Sequence, residues 1–464
     1  MEIKELSIEE KIGQMVIIGM ETNYITDRIK TMIQKYKIGG IILYRKNFST
    51  YSEMLKLIKD LKKLNSENKI PLFISIDQEG GRVNRMPKEI ENLPAANKIA
   101  QKGDEELTKQ GAQILGQILK KSGYNLNFAP VLDLKRFEDN HSIGDRSFGS
   151  DKEIVAKNGV IVMKELQKQG IIPVIKHFPG HGATTKDSHY MLPIINKKME
   201  LLEKEDMYPF EQAIKNGTDA ILVGHLLIRG ATGIFPASLS RKFISRYLRK
   251  KYKYNGLVVT DDLKMRAIRL LYGPDLAVKK AFQAGNDIIV FRYRQDEEKR
   301  VIENIIKLAK KGKIRESRIN KSVQRIVKLK EKYGVSDTEE IEGINIEEIN
   351  QKIEIVQAKM NPELEKLNSL YEEYSDYVSV IAIHEASGYK NNPDNVKKFI
   401  ENQFEGFSIL FGYDDPNDSY YTLLGGLKAW PVTVIVDQEG VITKVTHGSM
   451  TESELRAEIE NLIK

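Results

Sequence analysis

The chain has 464 residues, 41% of them hydrophobic and 30% charged, which excludes global disorder and leaves room for about two or three domains of roughly 150 residues. Its 72 basic and 65 acidic residues give a net charge of +7, yet Lys and Glu are interspersed along helical faces, so a solvated surface is expected and no nucleic-acid partner. The absence of cysteine rules out disulfides, thiolate catalysis and Cys-bound zinc or iron–sulfur clusters.

The N-terminus, MEIKELSIEEKIGQMV, lacks a basic region followed by a long apolar one, and no run reaches the 18 or so apolar residues of a membrane span. The expectation is a soluble, cytoplasmic protein with no membrane partner. Eight short runs, apolar on both faces, follow in order: Val16–Met20, Gly40–Tyr44, Leu72–Asp77, Asn127–Leu134, Pro173–Phe178, Ala220–His225, Gly256–Asp262 and Asp287–Phe291. Strands buried on both sides read this way. Amphipathic helical stretches lie between them, among them Leu107–Lys121 and Ile154–Gln169. Alternating strand and helix implies parallel pairing with right-handed crossovers, and eight repeats over about 290 residues predict a (β/α)₈ barrel, with an open doubly wound sheet as the alternative.

A long amphipathic helix, Glu316–Tyr333, closes this unit. The acidic, Gly-containing stretch from Ser336 opens a linker, placed at 336–358. Residues 359–464 form a smaller α/β module, with strands expected at Val378–Ile383, Val432–Val436 and Ile442–Thr446. Helices are expected at Pro362–Tyr374, Asn395–Phe404 and Thr451–Ile463.

Ionisable residues gather where the strands end, which is where the active sites of such barrels are built. The densest segment, Lys176–His189, packs Lys176, His177, His181, Lys186, Asp187 and His189 around Gly180 and Gly182. Asp187 stands two residues from His189, close enough for the carboxylate to orient the imidazole and raise its pKa for general acid–base work. A surface loop with incidental histidines is the bland alternative, and a metal site ranks below acid–base work because the lysines repel a cation and the carboxylates are few. In Val258–Met265, Asp261 and Asp262 end a buried strand; one suits a covalent nucleophile, though both could be caps. In Asp77–Arg85, a carboxylate, a Gly pair and two arginines suit a polyol, or else a structural Asp–Arg turn. Gly144-Asp145-Arg146 adds another arginine to this rim.

Together KHFPGHG–DSH, VTDDLKM, DQEGGRV and IGDRSF resemble the family 3 glycoside hydrolases, in the β-N-acetylglucosaminidase branch of bacterial cell-wall recycling. The resemblance runs from about Ile8 to Gly334. It implies a TIM barrel over residues 1–335, no cofactor and no metal. It implies Asp261 as nucleophile, His189 as acid/base and Asp187 as its partner, with Asp77, Arg85, Arg146, Lys176 and His177 holding the terminal N-acetylglucosamine. The reaction would be retaining, with phosphorolysis at the same Asp/His site or simple sugar binding as alternatives. One departure stands out: Ala183 occupies the place where the family usually has Asp. The tail, 359–464, resembles a thioredoxin-like domain through its Pro362 helix and its Trp430-Pro431 pair, but with no redox cysteines. A truncated, redox-inert docking module is expected.

Overall fold

The computed structural model describes residues 3–137, 140–184, 192–291 and 297–360, together with the backbone of three strands beyond them and Ala457. The chain divides into two compact units, Met1–Gln357 and Ala358–Lys464.

The first unit is a closed parallel barrel. Its strands are Val16–Gly19 (β1), Gly40–Leu43 (β2), Phe73–Ile76 (β3), Leu126–Asn127 (β4) and Ile172–Phe178 (β5). A two-residue strand, Ile194–Ile195 (β6), stands outside it. Ala220–Val223 (β7) returns to the barrel, Leu227–Ile228 (β8) pairs with β6, and Leu257–Asp262 (β9) and Ile288–Phe291 (β10) complete it. The order is β1-β10-β9-β7-β5-β4-β3-β2, and β1 closes the ring by pairing with both β10 and β2. Every residue of β1, β2, β3, β7 and β10 is buried, as strands between a filled interior and a helical layer must be.

The expected eight barrel strands are all present, but the fourth is shorter than the apolar run Asn127–Leu134. The run contains Pro130, which has no N–H for a ladder and sits in a cis peptide with Ala129. The chain leaves the sheet there and touches β5 again at one bridge, Val131 to Lys176. The helices start at side-chain caps. Asp104 accepts from the N–H groups of Glu106 and Leu107 to begin Glu105–Lys121, and Asp151 does the same for Lys152–Lys168.

The linker expectation needs correction. Within 336–358 lies most of an α-helix, Ile346–Met360, which buries Ile349, Ile353 and Val356. Their four- and three-residue spacing makes one apolar stripe. Asn350 Nδ2 donates to Glu89 O at 2.9 Å and Gln357 Nε2 to Asn92 O at 2.9 Å, so this segment is fastened to the barrel. No helix among the described residues is long and apolar enough to cross a membrane.

The second unit is described by its strands alone: Ser379–Ile383 (β11), Val432–Val436 (β12) and Ile442–His447 (β13), antiparallel in that order. They fall where the sequence places them. The expected helices at 362–374, 395–404 and 451–463 and the Trp430-Pro431 pair lie outside the described residues, apart from Ala457.

Candidate active site

A cavity of about 380 Å³ opens at the carboxyl ends of the barrel strands. Asp77, Arg85, Arg146, Lys176, His177 and Asp261 all line it, so six of the eight expected site residues come together. The other two, Asp187 and His189, lie outside the described residues, in 185–191.

Lys176 projects from β5 and is almost wholly buried. Its ammonium lies 2.6 Å from Asp77 Oδ1 and 2.6 Å from Glu79 Oε1. Arg146, from the single 3₁₀ turn Gly144–Arg146, forks onto the same Glu79: Nε to Oε2 and Nη2 to Oε1, both at 2.8 Å. Burial alone would raise the Glu79 carboxyl. Arg146 and Lys176 overcome that and hold it well below the ordinary carboxylate range. Burial alone would likewise lower Arg146, and Glu79 reverses it. Two cations and two carboxylates thus form a neutral, fully engaged network. Arg85 differs. Its buried Nε has no hydrogen-bond partner among the described residues, which leaves a donor at the cavity for a ligand.

A second network supports His177. Asp133 is completely buried, and its Oδ2 lies 2.6 Å from His177 Nδ1. It also accepts from His177 N at 3.1 Å and His181 N at 2.6 Å. Burial pushes the Asp133 carboxyl up, but His177 and these bonds bring it below its usual value. The carboxylate places the imidazole proton on Nδ1 and leaves Nε2 to serve the cavity. His181, by contrast, is pushed down to about 4 by burial and by His177, so it is neutral at pH 7.

Asp261 and Asp262 end β9, and both line the cavity, where the sequence expected only one to do so. Asp261 Oδ1 accepts the N–H of Asp262 at 2.8 Å, and Asp262 Oδ1 accepts that of Lys264 at 3.0 Å. The second aspartate therefore also caps the turn, while the first presents a carboxylate at the barrel mouth. His225, which ends the sixth apolar run, is fully buried behind them. Its Nδ1 is 2.7 Å from Ser238 Oγ and its Nε2 is 3.0 Å from the Asp262 carbonyl, so it braces β9.

The described start of the loop after β5 is tightly seated. Asn140 Nδ2 donates to Thr184 O at 2.8 Å. Gly182 lies so near Leu134 that a Cβ there would sit 1.8 Å from its carbonyl oxygen. Ala183 packs at the edge of a large apolar cluster.

Glu79 and Asp133 are the functional residues that the sequence reading passed over. Both carried a signal. Glu79 stands two residues after Asp77 in the same loop, and Asp133 is a lone acid inside an apolar run, a costly placement unless a partner awaits it.

Residues 7–329 match the model of the glycosyl hydrolase family 3 N-terminal domain. A family 3 β-N-acetylglucosaminidase from a Paenibacillus species has a similar structure: TM-score 0.73 at 31% identity, over 84% of this chain and 72% of that one. β-Hexosaminidase LpqI of Mycobacterium tuberculosis is 31% identical over 333 residues, which span 70% of this chain and 83% of the relative. β-Hexosaminidase A of Pseudoalteromonas piscicida is 33% identical over 330 residues, and there the chain spans 55% of the relative's length. With the family model covering the whole barrel, and a carboxylate-rich sugar-sized cavity at the strand ends, the chain belongs to glycosyl hydrolase family 3 and is a glycoside hydrolase.

Proposed function

We propose that the chain is a retaining exo-β-N-acetylglucosaminidase acting on terminal β-linked N-acetylglucosamine of small saccharides. The observation that carries this reading is the Asp261 carboxylate at the barrel mouth, facing a cavity whose other walls offer paired acceptors and donors for sugar hydroxyls. Asp77 and Lys176 bind adjacent hydroxyls, Arg85 donates from its open Nε, and Arg146 and His177 complete the grip on the non-reducing sugar.

In the first step Asp261 Oδ attacks the anomeric carbon as the bond to the leaving oxygen breaks, through an oxocarbenium-like transition state. His189, oriented by Asp187, gives the leaving oxygen its proton. In the second step His189 takes a proton from water. The resulting hydroxide displaces Asp261 from the anomeric carbon, and free sugar leaves with retained configuration. The chain has no thiol with which residues 359–464 could carry out disulfide exchange.

The test is release of the aryl group from an aryl β-N-acetylglucosaminide, with the sugar product identified in the presence and absence of phosphate. Free N-acetylglucosamine is the expected product in both. Asp261→Ala should lower kcat by about 10⁴-fold or more, the scale seen when a covalent nucleophile is removed. Near-normal turnover in that variant would refute the nucleophile, and a wild-type chain that releases no aryl group would refute the activity.

A further inference from the structure

A second cavity in the barrel unit lies away from the sugar site. It measures about 750 Å³, twice the active-site cavity. Three segments wall it: the loop 232–242, the last turns of the helix Arg266–Ala284, and the segment 313–321, which enters the helix Glu316–Lys332. Arg241, Lys242, Lys280, Lys313, Arg315 and Lys321 line it, and no carboxylate among the described residues does. The nearest acid in sequence, Glu316, is engaged elsewhere, 3.0 Å from the ammonium of Lys11.

These six cations differ from those of the sugar site. Arg146 and Lys176 are neutralised there by Glu79 and Asp77. Among the described residues, none of the six has a carboxylate within 4 Å or a side-chain hydrogen bond. A seventh lining cation, Arg318, turns inward. It donates to Asn286 O at 2.7 Å, with Asp287 at 3.6 Å, and so braces the wall. Like charges collected round one concavity repel one another, and a concave wall focuses their field. The helix Glu316–Lys332 adds to it, since no side-chain hydrogen bond caps its positive N-terminal end at Arg315.

The charge of the chain is lopsided in the same sense. Residues 358–464 hold 9 Lys and Arg against 18 Asp and Glu, so residues 1–357 hold 63 against 47 and carry +16. The overall +7 understates how basic the barrel is. The aromatic content of the groove argues against base stacking, because the Phe235 ring is already engaged by Lys280 at 4.7 Å and by Tyr272 at 5.5 Å.

We propose that this groove is a second binding site, for a polyvalent anion built of repeated phosphate groups, of which linear inorganic polyphosphate is the simplest. A cavity of this size has room for several phosphates, and six unpaired cations require several to balance them. The inference rests on the groove alone and is independent of the sugar chemistry.

The experiment titrates the full chain against end-labelled polyphosphate by fluorescence anisotropy at several salt concentrations. Saturable binding that weakens steeply with salt is expected, because cation-for-phosphate contacts release counterions. The triple variant Lys313→Glu, Arg315→Glu, Lys321→Glu should bind at least about tenfold more weakly, with a shallower salt dependence. All three side chains are exposed, so its melting temperature and its turnover of an aryl β-N-acetylglucosaminide should match wild type. The milder Lys242→Gln, Lys280→Gln pair should weaken binding in the same direction. Unchanged affinity in both variants would overturn the site. Orthophosphate competing as well as polyphosphate at equal phosphorus would overturn polyvalency. Duplex DNA binding the groove more tightly than polyphosphate would replace the ligand class with nucleic acid.

Discussion

Glu79 decides what the two cations beside it can do. Without its carboxylate, Arg146 and Lys176 would share a buried wall with, among the described residues, only Asp77 in contact with Lys176 and Asp133 acting on Arg146 from further off. Breaking one partner of a buried ion pair costs about 3–5 kcal/mol, because a charge is left uncompensated. Glu79→Gln should therefore lower the melting temperature. It should also raise KM for an aryl β-N-acetylglucosaminide by about tenfold or more, since the displaced cations are those assigned to the sugar. A KM unchanged in a folded variant would show that Glu79 serves stability alone. At this scale the sequence was legible where a residue followed an apolar run at a strand end, as Asp77, Lys176 and Asp261 do. It was less so where a residue acts through another. Nothing in a linear pattern says that Glu79 will bridge residues 67 and 97 positions away, or that Asp133 will hold His177. The sequence reading expected charges interspersed over a solvated surface. The structure shows Arg146 and Lys176 balanced by carboxylates at the sugar site, while six cations gather around another cavity.

The loop that follows β5 owes its path to a backbone contact. At Gly182 any side chain would collide with the carbonyl of Leu134, one residue from Asp133. The contact locks the start of the loop onto the segment that carries the His177 support. Gly182→Ala must push the two backbones apart by more than an ångström, and a displacement of that size at a catalytic loop costs about 10²-fold in rate. The expectation is a kcat/KM lowered by about that factor, in a protein that still melts cooperatively. Wild-type kcat/KM would show that the loop tolerates the shift. The strands were legible because burial on both faces leaves a continuous apolar run. The places where the pattern misled have local causes. Pro130 removes a donor from the fourth strand and shortens it. The helix Ile346–Met360 sits behind an acidic, glycine-containing lead-in, and its stripe of three buried residues was too sparse to register as an element.

At the other end of the barrel one ammonium joins the approaches to three strands. Lys330, on the helix Glu316–Lys332, is buried and donates to Gln14 Oε1 at 3.0 Å, Gly39 O at 2.9 Å and Pro71 O at 2.6 Å. Those three acceptors lie just before β1, β2 and β3, so the last helix of the unit ties together the first three strands. The ring of Phe73 lies 4.3 Å away, on the apolar side of the same site. Burial pushes this lysine down to about 7 from its ordinary 10.5. The folded protein therefore gives up the proton earlier than the unfolded chain does. Between about pH 7 and 10.5 the unfolded state binds more protons, and stability rises with pH. Well below pH 7 both states hold the proton and the contribution is flat. Lys330→Met removes the titration and leaves the three acceptors without their donor, at about 1–3 kcal/mol for each that water does not reach. Wild type should be the more stable at every pH. Its margin over the variant should be nearly constant below about pH 6 and then widen, by up to about 1.4 kcal/mol per pH unit, toward pH 9. Denaturant unfolding of both proteins across that range measures the margin. A margin that stays constant to pH 9 would mean that Lys330 keeps its proton in the fold, with the three acceptors and the Phe73 ring outweighing its burial.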